Sequence, residues 1–264
     1  MNPPVSSPVL QHAAGPMDVA RFPSLAGRRV FVTGGGSGLG AAMVEAFAAQ
    51  GALVAFVDVA ADASAALARR APWWRACDVR DVAALRRAIA AAAGELGGFH
   101  VLVNNVASAD RHSLESVTPE EYWDDRMAIN ERPAFFAIQA VVPGMQRLGQ
   151  GSVINLGSTG WQCKANEYPC YASAKSSVNG LTRGLAQSLG AHRIRINTVS
   201  PVWVMTERQV RKWLSPAGEA DIARNQCLPD KLQPDDIARM VPFLAADDGC
   251  MCTAQEFKVD AGWV

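Results

Sequence analysis

The chain has 264 residues, 49% of them hydrophobic and 7% aromatic, enough for one large α/β domain with a sizeable core. Its 25 Lys+Arg balance its 25 Asp+Glu, which excludes a nucleic-acid partner held by charge. No window of ~18 apolar residues is available for a membrane helix.

From the start, residues 1–24 read as a disordered or extended tail. Met1–Pro16 hold four prolines and neither Lys nor Arg, so they do not form a signal peptide. Met17 is an alternative start. Short apolar runs then alternate with Ala-rich helical stretches. Strands are expected at Arg29–Thr33, Leu53–Val57, Trp73–Cys77, Val101–Val103, Ser152–Leu156, Arg195–Val199 and Phe257–Val259. Helices are expected at Gly38–Gln50, Asp62–Arg70, Val82–Ala93, Glu120–Arg147, Tyr171–Leu189 and Asp235–Leu244, with a polar helical stretch from Glu207 to Gln226. Apolar runs without alternation belong to strands covered on both faces. Right-handed crossovers then give a doubly wound, seven-stranded parallel sheet flanked by helices, a single domain over residues 25–264. The six cysteines contain no Cys-x-x-Cys pair and have no His partners at ligand spacing. They read as reduced thiols of a cytoplasmic protein without a metal site.

Thr33-Gly34-Gly35-Gly36-Ser37-Gly38-Leu39-Gly40 falls between the first strand and the first helix, the context of a dinucleotide fingerprint. Glycines there let the backbone approach a pyrophosphate seated on the helix N-terminus. Asp58 ends the second strand 18 residues after Gly40, where a carboxylate accepts both hydroxyls of an adenine ribose. It repels a 2′-phosphate, and no Arg or Lys follows it before Arg69. NAD is therefore expected rather than NADP. No Gly-Lys-Ser/Thr follows the turn, which excludes a P-loop.

Tyr171 and Lys175 are four residues apart on one helix face. An ammonium and a cationic nicotinamide beside the phenol would lower its pKa toward that of a useful base. Tyr168 has Ala172 at the same offset, so Tyr171 is preferred. Ser158 follows the fifth strand at its carboxyl end, where parallel sheets bind ligands.

These residues, with Asp78-Val79, Asn104-Asn105, Asn130 and Pro201–Thr206, resemble those of the short-chain dehydrogenases/reductases, over Leu25–Val264. The resemblance implies a Rossmann fold with Asn130, Ser158, Tyr171 and Lys175 as the catalytic set. Tyr171 would be the acid/base, Ser158 would polarise the substrate oxygen, and Lys175 would hold the nicotinamide ribose. Asn130, in the middle of the long helix, would anchor the water of a proton relay. Gly34, Ser37, Gly38, Leu39, Gly40, Asp58, Asp78, Val79, Asn104, Pro201, Val204 and Thr206 would contact the cofactor. The family implies a homotetramer or homodimer built through its long helices. It also implies a lid over Glu207–Pro229. Ala107 and Val202 stand where the family usually has glycine, so the nicotinamide loop is expected to be displaced.

Asp110, Arg111, His112, Trp161, Gln162, Asn166, Glu167, Trp203, Arg208 and Trp213 are expected around the substrate. Trp161, Gln162, Trp203 and Arg208 are the substrate candidates carried forward. Indoles with many polar groups suit a polyol better than an acyl chain or a steroid. His112 is expected to support the site rather than to catalyse. Asp110-Arg111-His112, Arg208–Trp213, Gln226-Cys227-Leu228 and the closing Asp260-Ala261-Gly262-Trp263 are similar to the aldose 1-dehydrogenases, notably the D-xylose type. That implies oxidation of a sugar C1 hydroxyl to a lactone. The alternatives are a 3-oxoacyl thioester reductase and a non-catalytic NAD(H) sensor.

Overall fold

In a computed structural model the described residues are 19–67, 69–116, 120–164 and 167–264. The reading of Met1–Pro16, the start at Met17 and the substrate candidate Asn166 lie outside them. Among the described residues, seven strands form one sheet in the order β3-β2-β1-β4-β5-β6-β7. They are β1 (Arg29–Thr33), β2 (Leu53–Asp58), β3 (Trp73–Ala76), β4 (Val101–Asn104), β5 (Gly151–Leu156), β6 (Ile194–Pro201) and β7 (Glu256–Val259). Every pairing is parallel. The order reverses between β1 and β4, which opens a crevice at their carboxyl ends.

The helices are α1 (Gly38–Ala49), α2 (Ala61–Leu67), α3 (Val82–Leu96), α4 (Glu120–Asn130), α5 (Arg132–Leu148), α6 (Pro169–Gly190), α7 (Glu207–Trp213), α8 (Pro216–Asn225) and α9 (Pro234–Ala245). Because β1, β2, β4 and β5 are almost wholly buried, both sheet faces need a covering layer. On one face Met43, Phe47, Ile237 and Val241 of α1 and α9 pack with Val30, Val54 and Val103. On the other, Leu85, Ile89, Val141 and Met145 of α3 and α5 pack with Phe31, Leu102 and Val153.

Three expectations are corrected here. Residues 20–24, assigned to the tail, are tied to the body. Gln50 Nε2 donates to the Ala20 carbonyl at 2.9 Å, and the Phe22 ring stacks obliquely on Phe243 at 6.3 Å. The long helix Glu120–Arg147 is two helices, broken at Glu131, where Pro133 in the first turn of α5 has no N–H to continue α4. Glu207–Gln226 is likewise two helices. Ser215 caps α8 through the Gly218 N–H, and Pro216 opens it.

Candidate active site

The crevice is a cleft of about 1020 Å³, at the upper end of the size of small-molecule sites. Gly34, Ser37, Gly38, Leu39 and Gly40 form its floor after β1. Gly34 has φ +70°, and a Cβ on Gly40 would lie 1.7 Å from the Gly34 carbonyl oxygen. Both positions therefore demand glycine, and the turn stays narrow enough to expose the N-terminus of α1.

Asp58, at the end of β2, accepts the Gly36 N–H on Oδ2 and the Ala60 N–H on Oδ1, both at 2.8 Å. Those bonds fix the carboxylate plane. Each oxygen can accept a further hydrogen bond, and Asp58 lines the cleft. Asp78 and Val79 form the neighbouring wall. The fold also brings Arg80 to this wall, a cation that counting along the chain from Asp58 to Arg69 missed. Arg80 is held by Asp78 at 2.6 Å and Asp125 at 2.8 Å. Hydrogen bonds from Arg80 hold the Asp78 carboxyl below the usual range.

Ser158, Tyr171 and Lys175 line the other end, with Pro201, Val204 and Thr206 opposite. Ser158 caps a short 3-10 turn, its Oγ accepting the Gly160 N–H at 3.0 Å. Lys175 is buried, and its Nζ donates to the Leu156 carbonyl at 2.6 Å, 6.0 Å from the Tyr171 ring centroid. Burial lowers Lys175 to about 8. Burial also pushes the Tyr171 phenol up, against a hydrogen bond with Ser158 that lowers it. The expected depression of Tyr171 is thus not produced by the protein's own groups. Tyr168, edge-on to Tyr171 at 5.7 Å, is pushed by burial to about 12.

Two expected residues stand behind the cleft. Asn104 points into the sheet, its Nδ2 donating to Asn155 Oδ1 at 2.9 Å, while Asn105 lines the cleft. A one-residue step along a strand reverses the side chain. Asn130 uses its whole amide on backbone. Oδ1 accepts from Ser108 N at 2.8 Å, and Nδ2 donates to the carbonyls of Ser108 and Arg126. A second cavity of about 10 Å³, one water in size, is bordered by Asn104, Asn130, Asn155 and Lys175.

On the substrate side, Arg111, Glu167, Trp203, Arg208 and Trp213 line the cleft. The Arg111 guanidinium lies 4.8 Å from the Trp213 ring centroid and 5.5 Å from that of Trp203, and pairs with Glu167 at 2.8 Å. The Trp203 indole N–H is buried without a partner among the described residues. Trp161 is 39% exposed and Gln162 turns toward Glu256 at 3.3 Å. Neither lines the cleft, because the turn opened by Ser158 swings them away from it. Asp110 stands one step back, bonded to Ser108, Arg126 and Arg208. Asp221, Arg224 and Asn225 of α8 also line the cleft. Only their membership of the expected lid pointed to them.

The departures at Ala107 and Val202 cost no backbone strain. Among the described residues, the non-glycine positions with positive φ are Lys164, Arg193, Ala254 and Ala261. No group of three or more His, Cys, Asp or Glu among the described residues is placed for a metal ion. No helix among them is long and apolar enough to cross a membrane.

A family model described as enoyl-(acyl carrier protein) reductase matches residues 34–264. The D-xylose 1-dehydrogenase of Caulobacter vibrioides is 44% identical over 253 residues, covering 94% of this chain and 100% of that protein. A probable galactose dehydrogenase of Rhizobium meliloti is 46% identical over 250 residues, covering 92% and 97%. Among solved structures, a blue fluorescent protein from a metagenomic library, in complex with NADPH, superposes with a TM-score of 0.84 at 35% identity, covering 91% and 99%.

Proposed function

The chain belongs to the short-chain dehydrogenase/reductase family, and on that premise we propose that it oxidises the C1 hydroxyl of a cyclic aldose to a lactone with NAD⁺. As an enzyme it acts on CH–OH groups, in keeping with relatives named as sugar dehydrogenases. The observation that carries the finer reading is the cleft itself. Asp58 with two pinned oxygens stands at one end, Tyr171, Ser158 and Lys175 at the other, and an indole–guanidinium wall lies beside them.

The residues fit a nicotinamide dinucleotide. Gly34, Gly38, Gly40, Asp58, Lys175 and Thr206 line the cleft; the glycines would admit the pyrophosphate, Asp58 would hold the adenine ribose, and Lys175 and Thr206 would hold the nicotinamide half. When bound, the oxidised nicotinamide is the hydride acceptor and adds positive charge beside Tyr171. Because burial raises the phenol, it is the positive charge of a bound nicotinamide that would poise it as a base, with Lys175 buried 6.0 Å from its ring centroid. Ser158 holds the substrate oxygen and Tyr171 takes its proton. The C1–H bond breaks with its electron pair leaving as hydride, and the oxygen closes to the lactone carbonyl. Lys175 and the water-sized cavity beside Asn104 and Asn130 take the proton onward.

NAD is preferred because the Asp58 carboxylate opposes a 2′-phosphate and the nearby Arg80 is already neutralised by Asp78 and Asp125. The exposed apolar residues Trp123 of α4 and Phe135 of α5 suit an assembly of two or four copies. The free thiols suit a cytoplasmic setting. The test is reduced-cofactor formation with D-xylose, L-arabinose, D-galactose, L-fucose and D-glucose, run with NAD⁺ and NADP⁺ in parallel. Turnover of one or two sugars with NAD⁺ is expected. Silence across the panel overturns the sugar assignment.

A further inference from the structure

The helix that carries Tyr171 and Lys175 begins without a cap of its own. Tyr168 occupies the capping position of α6 and makes no side-chain hydrogen bond to it, and Pro169 opens the first turn. The N–H groups of a first turn need partners from outside the helix. The N–H of Cys170, adjacent to Tyr171, finds one 58 residues away, donating to Nε2 of His112 at 3.1 Å. Cys170 is buried, 3% exposed, so losing this acceptor leaves an N–H that water does not readily reach.

The imidazole is itself fixed from several sides. An Nε2 that accepts a backbone N–H is unprotonated, so the ring is neutral with its proton on Nδ1. Nδ1 donates to the Asp110 carbonyl at 2.9 Å and lies 3.0 Å from the Tyr122 hydroxyl. The Tyr122 ring packs edge-on at 5.0 Å. The His112 N–H donates to the Glu167 carbonyl at 2.7 Å, joining the loop after β4 to the approach to α6. Through these bonds the loop, α4 and the first turn of α6 form one block, with His112 at its centre.

We infer that His112 is a positioning residue for the proton-transfer step, capping α6 from across the fold so that the Tyr171 hydroxyl stays in line with Ser158. The inference rests on the acid/base reading of Tyr171. It predicts a selective cost, because an acceptor lost at Cys170 lets the first turn of α6 move while Asp58, the glycine turn and the indole wall stay where they are. A displacement on the order of 1 Å at a reacting group lowers turnover far more than binding.

The experiment compares His112→Leu, His112→Gln and Tyr171→Phe with the wild-type enzyme. It measures NADH formation from D-xylose and D-galactose, NAD⁺ binding, thermal melting, and amide hydrogen exchange at Cys170 and Tyr171. For His112→Leu the expected result is a kcat lowered by about tenfold or more with KM changed less than about twofold. Its melting temperature falls by only a few degrees, the cost of one stranded N–H, and exchange at Cys170 is faster. His112→Gln, whose amide oxygen can still accept the Cys170 N–H, recovers most of the turnover and the protection. Unchanged turnover in His112→Leu overturns the inference. So does equal Cys170 protection in all variants, or an equal loss in Leu and Gln variants that tracks melting. The exchange measurement decides the matter without a substrate if neither sugar is turned over. If Tyr171→Phe keeps full turnover, the acid/base reading fails and the inference with it. If Tyr171→Phe is inactive while His112→Leu is normal, the positioning role alone is wrong.

Discussion

Arg208 on α7 reaches Asp110 in the loop after β4, Nη2 to Oδ1 at 3.0 Å, while Arg126 holds the other oxygen of the same carboxylate at 2.9 Å. The helix over the substrate end of the cleft is thereby tied to the loop beneath it. A second tie runs the other way, from Arg111 of that loop to the Trp213 ring at 4.8 Å. Both Arg208 and Asp110 are partly exposed, 49% and 41%, so the ion pair contributes no more than about 1 kcal/mol and weakens with salt.

Arg208→Ala is therefore expected to leave melting within about 2 °C of wild type. It should raise substrate KM by about two- to fivefold, without lowering kcat. High salt should reproduce part of the effect in the wild type and none in the variant. An unchanged KM at low salt means that the tie does not hold the cleft closed around substrate.

Asp58 is the proposed determinant of cofactor choice. Asp58→Ala removes the acceptor of the ribose diol and strands the N–H groups of Gly36 and Ala60. NAD⁺ affinity is expected to fall about 10- to 100-fold, and the NADP⁺/NAD⁺ affinity ratio should rise because the carboxylate that opposes a 2′-phosphate is gone. Fluorescence titration with both dinucleotides measures this. A retained preference for NAD⁺ would assign the discrimination elsewhere.

Lys175 sets function against stability. A buried lysine titrating near 8 instead of 10.5 is penalised as a cation by about 3 kcal/mol, against ~1 kcal/mol for its hydrogen bond to Leu156. Between pH 8 and 10.5 the unfolded chain binds the extra proton, so the penalty this group places on the fold is complete below 8 and is relieved as pH rises toward 10.5. In the cofactor-free protein Lys175→Met should melt higher than wild type at pH 7, with the advantage shrinking as pH approaches 10. It should abolish turnover. Calorimetry at pH 7 and 9.5 gives the difference, and an advantage that grows with pH would reverse the assignment.

Gly40→Ala tests the floor. The added Cβ meets the Gly34 carbonyl at 1.7 Å and Asn105 Nδ2 at 2.8 Å, neither the end of a long flexible side chain. A loss of about 1–3 kcal/mol is expected by overpacking. Weakened NAD⁺ binding should accompany it, since the turn must widen. Wild-type melting and binding together would show that the turn has slack.

Strand positions were legible because buried parallel strands such as Leu53–Val57 and Ser152–Leu156 are uninterrupted apolar runs. The glycine turn was legible because its requirement is local. Residues that depend on which way a chain leaves a strand were not. Asn104 and Asn105 differ by one position, yet one faces the sheet and the other the cleft. Trp161 and Gln162 lie outside the cleft lining, on and just after the turn that Ser158 caps. Arg80 and His112 act across the fold, beside Asp58 and Cys170 respectively, and nothing in sequence spacing announces such pairings. The break between α4 and α5 was signalled by Pro133, a cue outweighed by the continuous helical pattern on either side.

On the proposed reading Tyr171 moves the proton while hydride goes to the nicotinamide. The most direct measurement is steady-state NADH formation by wild type and Tyr171→Phe with whichever of D-xylose and D-galactose is turned over, alongside NAD⁺ binding to both proteins. For Tyr171→Phe a kcat lower by about 10²–10⁴-fold is expected with NAD⁺ affinity unchanged, since the phenol is lost and the cofactor floor is untouched. A Tyr171→Phe enzyme that turns over at the wild-type rate would contradict that reading.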